Sequence, residues 1–404
     1  MTFLRIHKDF SHFFITESHM SNNYIAFGLA SSVGPIIAGV LSDKLSWRYI
    51  FWLNSILAAL VATIIYLLLE IPTKPEQKVS PKNLKTLFSR IDFGGCVIAA
   101  IGIAGLLLGM NFGSGALQYD WSSPIVIGLL IAASVLGLVF ILYEKFVSSA
   151  PLFPSRIITD RDMALLYIHQ FINGIFYITL ILTPIITYQS VFNDTPTGAS
   201  LKLLPAVVMF IISTIAQPSI PAIITGNIVI VLATILLAFV ENEHSNVGVQ
   251  IGFMILFTAG LGQTNQSTLI ASQLVLESKA PEMIATSLVL IRFLVQVGVT
   301  IGAAIFLTII KVGVKTNLES VHETAPNVYQ SIIATDAITN YVKIGLIKDD
   351  LIRGTLNSIY FKSISLSLYV PIAASIIALL CSIFVNIPKI GEVKKSKGTE
   401  SIDG

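Results

Sequence analysis

Charged residues are scarce in this chain of 404 residues. Asp, Glu, Lys and Arg together make up 12% of it, about half of the roughly 25% that a soluble domain carries. By contrast, 54% of the residues are hydrophobic, and the mean hydropathy is +0.80. A water-soluble fold cannot cover its surface with so few charges. The composition therefore predicts a protein for which the lipid bilayer is part of the solvent.

Cysteine and net charge are equally sparse. The two cysteines, Cys96 and Cys381, both lie in apolar runs, which argues against a disulfide framework or a cysteine metal site. A formal net charge of +2 favours neither nucleic acid nor an acidic partner. The sequence also contains no phosphate loop, no HExxH sequence and no nucleophile elbow. We therefore expect no enzymatic activity, no cofactor, no metal and no nucleic-acid partner.

Ten apolar runs are long enough to cross a bilayer, which takes about 20 residues of α-helix. Helices are expected because backbone groups in hydrocarbon must be hydrogen-bonded within their own segment. The sequence therefore predicts an all-α fold, a polytopic transmembrane helix bundle of about ten spans. The predicted spans are 24–42, 50–69, 93–112, 124–143, 164–189, 199–219, 221–240, 248–274, 286–310 and 364–386.

The spans divide the chain into segments on the two sides of the membrane. The prediction is a cytoplasmic N-terminal segment (1–23), transmembrane helices (24–310), an extracytoplasmic loop (311–363), the last transmembrane helix (364–386) and a cytoplasmic tail (387–404). Lys and Arg concentrate in cytoplasmic loops, and this orientation puts most short-loop Lys and Arg residues on the cytoplasmic side. Both termini are therefore predicted to be cytoplasmic, in either the plasma membrane or the vacuolar membrane.

Two neighbouring motifs carry a family resemblance. GPIIAG at 34–39 is followed by SWRYIFWLN at 46–54. Small residues let helices approach closely, and a proline removes a backbone hydrogen bond from a helix. Together the motifs resemble the major facilitator superfamily, most closely its fungal fourteen-helix drug:proton antiporter branch, and further matches extend the resemblance over roughly residues 24–310. The structural motif residues are Gly34, Pro35, Gly39, Trp47, Arg48 and Asn54.

The resemblance implies a secondary transporter that binds a small-molecule substrate near the bilayer midplane between two helix bundles. The implied solute is a drug, a siderophore or a basic amino acid. Compared with the family pattern, the ten predicted spans correspond to the last ten of fourteen helices, so the first four are expected to be absent from this chain. The family's proton coupling depends chiefly on a carboxylate in the first helix, and none of the 23 acidic residues lies in the central part of a predicted span. Proton coupling therefore stays open, and the alternative is a truncated membrane protein that binds or regulates without transporting.

Two sets of polar side chains within the spans are candidates for substrate contact. Arg292 is the one charge away from the ends of a predicted span, and Gln296 lies on the same helix face four residues later. Arg292 either reaches the lipid headgroups or contacts a substrate or anion. Gln263, Asn265 and Gln266 form a polar stripe on another helix. Because unpaired amides are costly in hydrocarbon, this stripe either bonds to neighbouring helices or lines a solute cavity.

A third candidate set and several packing motifs complete the sequence prediction. His169 and Asn173 lie four residues apart, and both a structural role and a substrate contact stay open for them. The sequon at Asn193 is a weak glycosylation candidate, because it lies close to the membrane and Pro196 follows it. The sequences GxxxG at 105–109 and at 298–302 predict close helix packing rather than binding sites.

Overall fold

The structure is a computed structural model. It describes residues 30, 33–34, 36–68, 92–113, 119–148, 151–216, 220–240, 246–335 and 341–388. The chain divides into two compact units, which we call the smaller unit (Ala38–Ile158) and the larger unit (Met1–Ile37 with Thr159–Gly404). In the described ranges the regular structure is helical, and no strand occurs. The predicted all-α fold is thus confirmed.

In its described residues the smaller unit contains three long helices and one short one, besides helical residues up to 44. They are α1 (Arg48–Leu68), α2 (Phe93–Gly113), α3 (Pro124–Phe146) and α4 (Ser155–Ile158). Helix α2 packs against α3 through glycines. A Cβ atom on Gly109 would lie 2.9 Å from Leu130 Cδ2, and one on Gly102 would lie 3.3 Å from Leu136 Cβ. The close packing predicted for the motif at 105–109 is confirmed at Gly109.

The larger unit contains the remaining helices. They are α5 (Arg161–Ser190), α6 (Pro196–Ile215), α7 (Ile220–Val240), α8 (Val247–Lys279), α9 (Ile284–Thr324), α10 (Pro326–Ile333), α11 (Asp350–Ser367) and α12 (Tyr369–Phe384). Short 3₁₀ segments lie at Pro281–Met283 and Tyr341–Leu346. Side-chain caps begin several of these helices, because an Asp, Thr or Asn oxygen accepts the first free backbone N–H groups. The capping residues are Asp160, Thr195, Asn246 and Asp349.

Glycines bring the helices of the larger unit into backbone contact. A Cβ atom on Gly302 of α9 would lie 2.5 Å from the carbonyl oxygen of Ile175 in α5, and one on Gly298 would lie closer still to the carbonyl oxygen of Phe171. Gly260 of α8 lies against the carbonyl oxygen of Gly226 in α7 in the same way, with a Cβ distance of 2.5 Å. Small residues at such crossings allow the close approach on which helix association in lipid depends. The close packing predicted for 298–302 is confirmed.

Nine segments in the described part of the chain are long and apolar enough to cross a membrane. They correspond to nine of the ten predicted spans, with α11 and α12 counted together as Asp350–Phe384. Of the tenth predicted span, 24–42, only residues 30, 33–34 and 36–42 are described, and these are helical. The fold is that of a polytopic helix bundle.

The segment 311–363, predicted as a loop, is mostly helical. Helix α9 continues to Thr324, and its 41 residues correspond to about 60 Å at 1.5 Å per residue, about twice the hydrocarbon thickness. The apolar run ends at Lys311, but the helix does not, because Lys and Glu are good helix formers. Hydropathy therefore located the end of the apolar run and not the end of the helix.

The end of α9 packs against α10 and α11 through its own apolar cluster. Ile332 of α10, Ile344 and Leu356 are fully buried at 0% exposure, and Phe306 and Ile310 of α9 join them. Asn317 donates a hydrogen bond to the carbonyl oxygen of Gly313 at 2.7 Å. The described residues of 311–363 thus form a packed, mostly helical part of the larger unit, which we call the cap. Its predicted extracytoplasmic position stays a prediction.

Candidate functional site

Arg292 and Gln296 lie on α9 and are both exposed. The helix is held against α5 by Gly298 and Gly302. Because residues two apart on a helix do not share a face, Gln296 points away from the side on which Gly298 meets α5. Arg292 and Gln296 are the most accessible of the candidate substrate contacts that the sequence predicts.

The structure separates the polar stripe of α8. The Cβ atom of Gln263 lies 3.2 Å from a Cβ placed on Gly226, so Gln263 packs towards α7. Asn265 is half-buried, and its side chain donates to the carbonyl oxygen of Leu261 in its own helix at 3.3 Å. Gln266 is buried at 3% exposure, and its Oε1 atom has no hydrogen-bond partner in the described ranges. The three side chains therefore have different surroundings and do not form one surface.

His169 and Asn173 are buried inside the larger unit, at 0% and 2% exposure. The Nδ2 atom of Asn173 donates to Oε1 of Gln170 at 3.2 Å. His169 instead reaches another helix, with its Nε2 atom 3.0 Å from Nδ2 of Asn227 in α7. This burial distinguishes both side chains from the exposed pair on α9.

The sequence analysis missed Asn227, which is fully buried. A signal was present, because Asn227 is an isolated amide in an otherwise apolar run, where an unpaired amide is costly. Its partner His169 is 58 residues away in the chain, so only the fold identifies the pair. The structure also contains a shallow apolar cavity between α7 and α8. It is lined by Ala233, Thr234, Leu237, Phe253, Met254 and Phe257, and contains none of the predicted residues.

An ionic network ties together three parts of the chain at one end of the larger unit. Lys279, at the end of α8, contacts Asp160 at 2.5 Å and Asp162 at 3.1 Å. Asp160 also caps α5, accepting from the backbone N–H groups of Asp162 and Met163. The backbone N–H of Asn386, beyond α12, donates to Asp162 at 3.0 Å. The start of α5 and the ends of α8 and α12 therefore lie at the same end of the bundle.

The environment of Asp160 shifts its ionisation. Partial burial raises the pKa of Asp160, but the hydrogen bond from Lys279, the backbone N–H groups and the charge of Lys279 outweigh burial. The net result is a pKa below the ordinary value, because these contacts stabilise the carboxylate. The network therefore favours the charged form of Asp160 at neutral pH.

The motif residues at 34–54 are only partly described. Gly34 is exposed, Gly39 is buried and Pro35 lies outside the described residues. Trp47 packs edge-on against Phe51 with ring centroids 5.8 Å apart, and the guanidinium of Arg48 lies 5.6 Å from the Trp47 ring. These contacts form at the start of α1, and the last motif residue, Asn54, is exposed on that helix.

Asn193 follows the end of α5 and is exposed, with a φ of 56°. Asparagine tolerates this left-handed conformation better than most residues. Its Cβ atom lies 3.3 Å from a Cβ placed on Gly345 in the 3₁₀ segment of the cap. Glycosylation at Asn193 stays a prediction.

The model of the Major Facilitator Superfamily matches residues 17–303. The chain belongs to this superfamily. The match includes the motif at 34–54 and ends within α9, so it spans most of the predicted transmembrane region. As a member of the Major Facilitator Superfamily with nine candidate spans in its described part, the chain is an integral multi-pass membrane protein.

Fungal transporters are among the similar proteins, which supports membership of the fungal drug-efflux-like branch of the superfamily. The efflux pump roqT of Penicillium rubens is 25% identical over 70% of this chain and 52% of its own length. The MFS-type transporter astH of Aspergillus oryzae is 26% identical over 87% of this chain and 61% of its own length. The vacuolar membrane amino acid uptake transporter fnx2 of Schizosaccharomyces pombe is 27% identical over 46% of this chain and 31% of its own length. The chain thus spans between about half and three fifths of the first relatives it matches.

Proposed function

We propose that this chain moves a small solute across a membrane as a secondary transporter of the Major Facilitator Superfamily. The observation that carries the proposal is the family match over residues 17–303, together with relatives that are named as efflux pumps and transporters. The packed helices of the larger unit support the proposal, because the halves of such transporters are packed helix repeats that move as rigid bodies. The partners are the solute and the lipid bilayer, and no enzymatic step is part of this proposal.

The proposed solute is a drug-like molecule, a siderophore or a basic amino acid. The name of roqT supports export of small organic molecules, and that of fnx2 supports amino acids. Arg292 and Gln296 are the proposed solute contacts, because they are exposed and share a face of α9. A charged side chain within a span is costly, by roughly 2.5–3.5 kcal/mol on insertion scales, and is commonly functional. The half-buried Gln263 and Asn265 and the buried Gln266 of α8 stay candidate solute contacts in this proposal.

The proposed orientation places both termini in the cytoplasm. The network of Lys279, Asp160 and Asp162 supports it, because it gathers the start of α5 and the ends of α8 and α12 at one end. The segment before α5 and the segment after α12, which meet at this end, are rich in Lys and Arg, as cytoplasmic segments usually are. A reporter protein fused after residue 404 should be protected from external protease in intact cells. Its digestion in intact cells would contradict the orientation.

Solute accumulation in yeast cells lacking their own drug pumps tests the proposed transport. The probes are rhodamine 6G, a ferric hydroxamate siderophore and labelled arginine, compared in cells with and without the chain. Accumulation of at least one probe should change. Unchanged accumulation of all three, with the chain present in the membrane fraction, would contradict transport and support a binding or regulatory role instead.

Matched arginine variants test the proposed solute contact. Arg292→Ala should abolish the change in accumulation, and Arg292→Lys should retain part of it because the charge remains. Arg353→Ala is the control, since Arg353 is in the cap and pairs with Asp350. Equal transport by Arg292→Ala and the control would show that Arg292 does not contact the solute.

A further inference from the structure

His169 and Asn227 form a hydrogen-bonded pair in the interior of the larger unit. Both side chains are 0% exposed. The Nδ2 atom of Asn227 lies 3.0 Å from Nε2 of His169 and 2.9 Å from the carbonyl oxygen of Ile223. His169 is eight residues beyond the start of α5, and Asn227 lies in α7, which has no titratable side chain. The pair therefore links two helices well inside the membrane-spanning part.

The donor and acceptor roles in this pair are fixed by the carbonyl oxygen of Ile223. That oxygen only accepts, so the atom of Asn227 that faces it must be the amide nitrogen. The same nitrogen faces His169, and it only donates, so Nε2 of His169 must accept. The imidazole consequently carries its hydrogen on Nδ1 and is neutral in this arrangement.

Both partners keep one unsatisfied atom in this arrangement. Neither Nδ1 of His169 nor Oδ1 of Asn227 has a hydrogen-bond partner in the part of the chain that the structure describes. Buried polar atoms are nearly always paired, and an exception calls for an explanation. The free oxygen of Asn227 belongs to the same amide group that bonds to His169, so rotation of the amide brings this acceptor to the ring.

We propose that His169 and Asn227 form a proton-binding site. A proton taken from water adds to Nε2 of His169, and no other bond is made or broken covalently. The amide of Asn227 rotates so that Oδ1 accepts the new Nε2–H, which is a charge-assisted hydrogen bond. Rotation takes Nδ2 away from the carbonyl oxygen of Ile223, so proton binding breaks one side-chain hydrogen bond within α7.

The position of this change connects it to helix packing. Gly226, next to Asn227, lies against α8, and a Cβ on it would be 2.8 Å from the carbonyl oxygen of Gly260. A shift of α7 at Asn227 therefore acts directly on its crossing with α8. The proton-binding state of His169 is thus coupled to the arrangement of α5, α7 and α8.

Other titratable groups near the pair are few in the membrane-spanning part. Towards the middle of the helices packed against α5 or α7 they are Tyr167 and Tyr177 of α5, Arg292 of α9 and Cys381 of α12. Further groups lie towards the helix ends or in the cap. They are Arg161, Asp162 and Tyr188 of α5, Lys202 of α6, Glu277 and Lys279 of α8, Glu282 of the 3₁₀ segment before α9, Lys311, Lys315, Glu319, His322 and Glu323 of α9, Asp350, Arg353, Tyr360 and Lys362 of α11, and Tyr369 of α12. In these described helices no carboxylate lies midway along a span.

Hydrogen exchange at imidazole C2 in D₂O tests the site residue by residue. This exchange requires the protonated ring, and mass spectrometry of peptides from the full chain in detergent micelles measures it for each histidine. His169 should exchange in the folded protein, with a sigmoidal dependence on pH. Absence of exchange at His169 while the chain remains folded would overturn the proposal.

Two variants and a control make the test specific to the pair. Asn227→Asp supplies a carboxylate to the imidazolium and should speed exchange at His169, whereas Asn227→Leu removes the acceptor and should slow it. The two rates should differ at least about tenfold, which corresponds to a difference of one pKa unit. Exchange at the exposed His322, whose ring lies 4.4 Å from that of Tyr329 in the cap, should be the same in all three proteins.

Equal exchange at His169 in the three proteins would overturn the role of Asn227. If Asn227→Leu does not fold, the pH profile of the wild-type chain and the rate in Asn227→Asp still decide. The inference does not rest on the proposed function, because proton binding at the pair is stated without reference to solute movement. Failure of the proton-binding site can be told apart from failure of the proposed transport. C2 exchange is measured without any solute, and the accumulation assay is carried out without D₂O.

Discussion

Removing the carboxyl group of Asp160 should destabilise the larger unit through two separate effects. Asp160→Ala removes the cap of α5, which costs about 1 kcal/mol, within a range of roughly 0.5–2 kcal/mol. It also removes the ion pair with Lys279, worth about 0.2–1 kcal/mol for a pair open to solvent. The lower part of that range applies, since the Lys279 side chain is 45% exposed. The expected total is about 1–2 kcal/mol.

Matched variants separate the two effects. Asp160→Asn keeps the cap, because Asn caps helices as well as Asp does, and loses only the charge. Lys279→Ala loses the ion pairs to Asp160 and Asp162 and leaves the cap. Asp160→Asn and Lys279→Ala should each cost less than about 1 kcal/mol. The double variant Asp160→Asn with Lys279→Ala should be less destabilised than the sum of the two, because they share one contact.

Thermal unfolding in detergent, followed with a thiol-reactive fluorescent dye, measures these differences. Cys381 is buried and becomes reactive when the bundle opens, whereas Cys96 is exposed and is replaced by Ala in all variants. A loss of 1 kcal/mol corresponds to a fall in Tm of about 2–4 °C for a unit of this size. Equal Tm values for Asp160→Ala and Asp160→Asn would refute the capping role.

The same measurement has a pH dependence of known sign. The pKa of Asp160 is lowered in the folded state, so its stabilisation is present above the unfolded value of about 3.9 and is lost as pH falls through the folded pKa. The Tm difference between wild type and Asp160→Asn should therefore be constant at neutral pH and shrink below about pH 4. A difference that is unchanged at low pH would show that the charge of Asp160 does not contribute.

The helix crossings and the cap give two further predictions. Gly302→Ala should cost about 1–3 kcal/mol from overpacking, because the new Cβ would lie 2.5 Å from the carbonyl oxygen of Ile175. The control is Gly252→Ala, where the new Cβ would have no heavy atom within 4 Å. In the same Tm assay this control should be neutral or slightly stabilising. Ile332→Ala should cost about 2–5 kcal/mol of cap stability, measured as faster amide exchange in Pro326–Ile333. The control is Ile333→Ala, because the Ile333 side chain is 48% exposed. This control should change cap stability by less than about 0.5 kcal/mol. Similar effects within either pair of variants would contradict the packing described for that pair.

The amino-acid sequence determined the membrane-embedded, helical character of the protein. That information is local, because each span is an apolar run whose backbone must bond within itself in lipid. The same holds for the motif at 34–54, which indicated the family that the match over residues 17–303 established. The glycine pair at 298 and 302 is also a local signal, and the crossing with α5 follows from it.

Only the tertiary structure decided which polar side chains meet. Gln263, Asn265 and Gln266 are neighbours in sequence, but their surroundings depend on where α6 and α7 pack on α8, which helical spacing does not specify. His169 and Asn227 are 58 residues apart, so no local pattern joins them. The cap was missed for a related reason: hydropathy reports the cost of transferring a segment into lipid, whereas the helix beyond Lys311 is stabilised by burying Ile332 and Leu356 against distant parts of the chain.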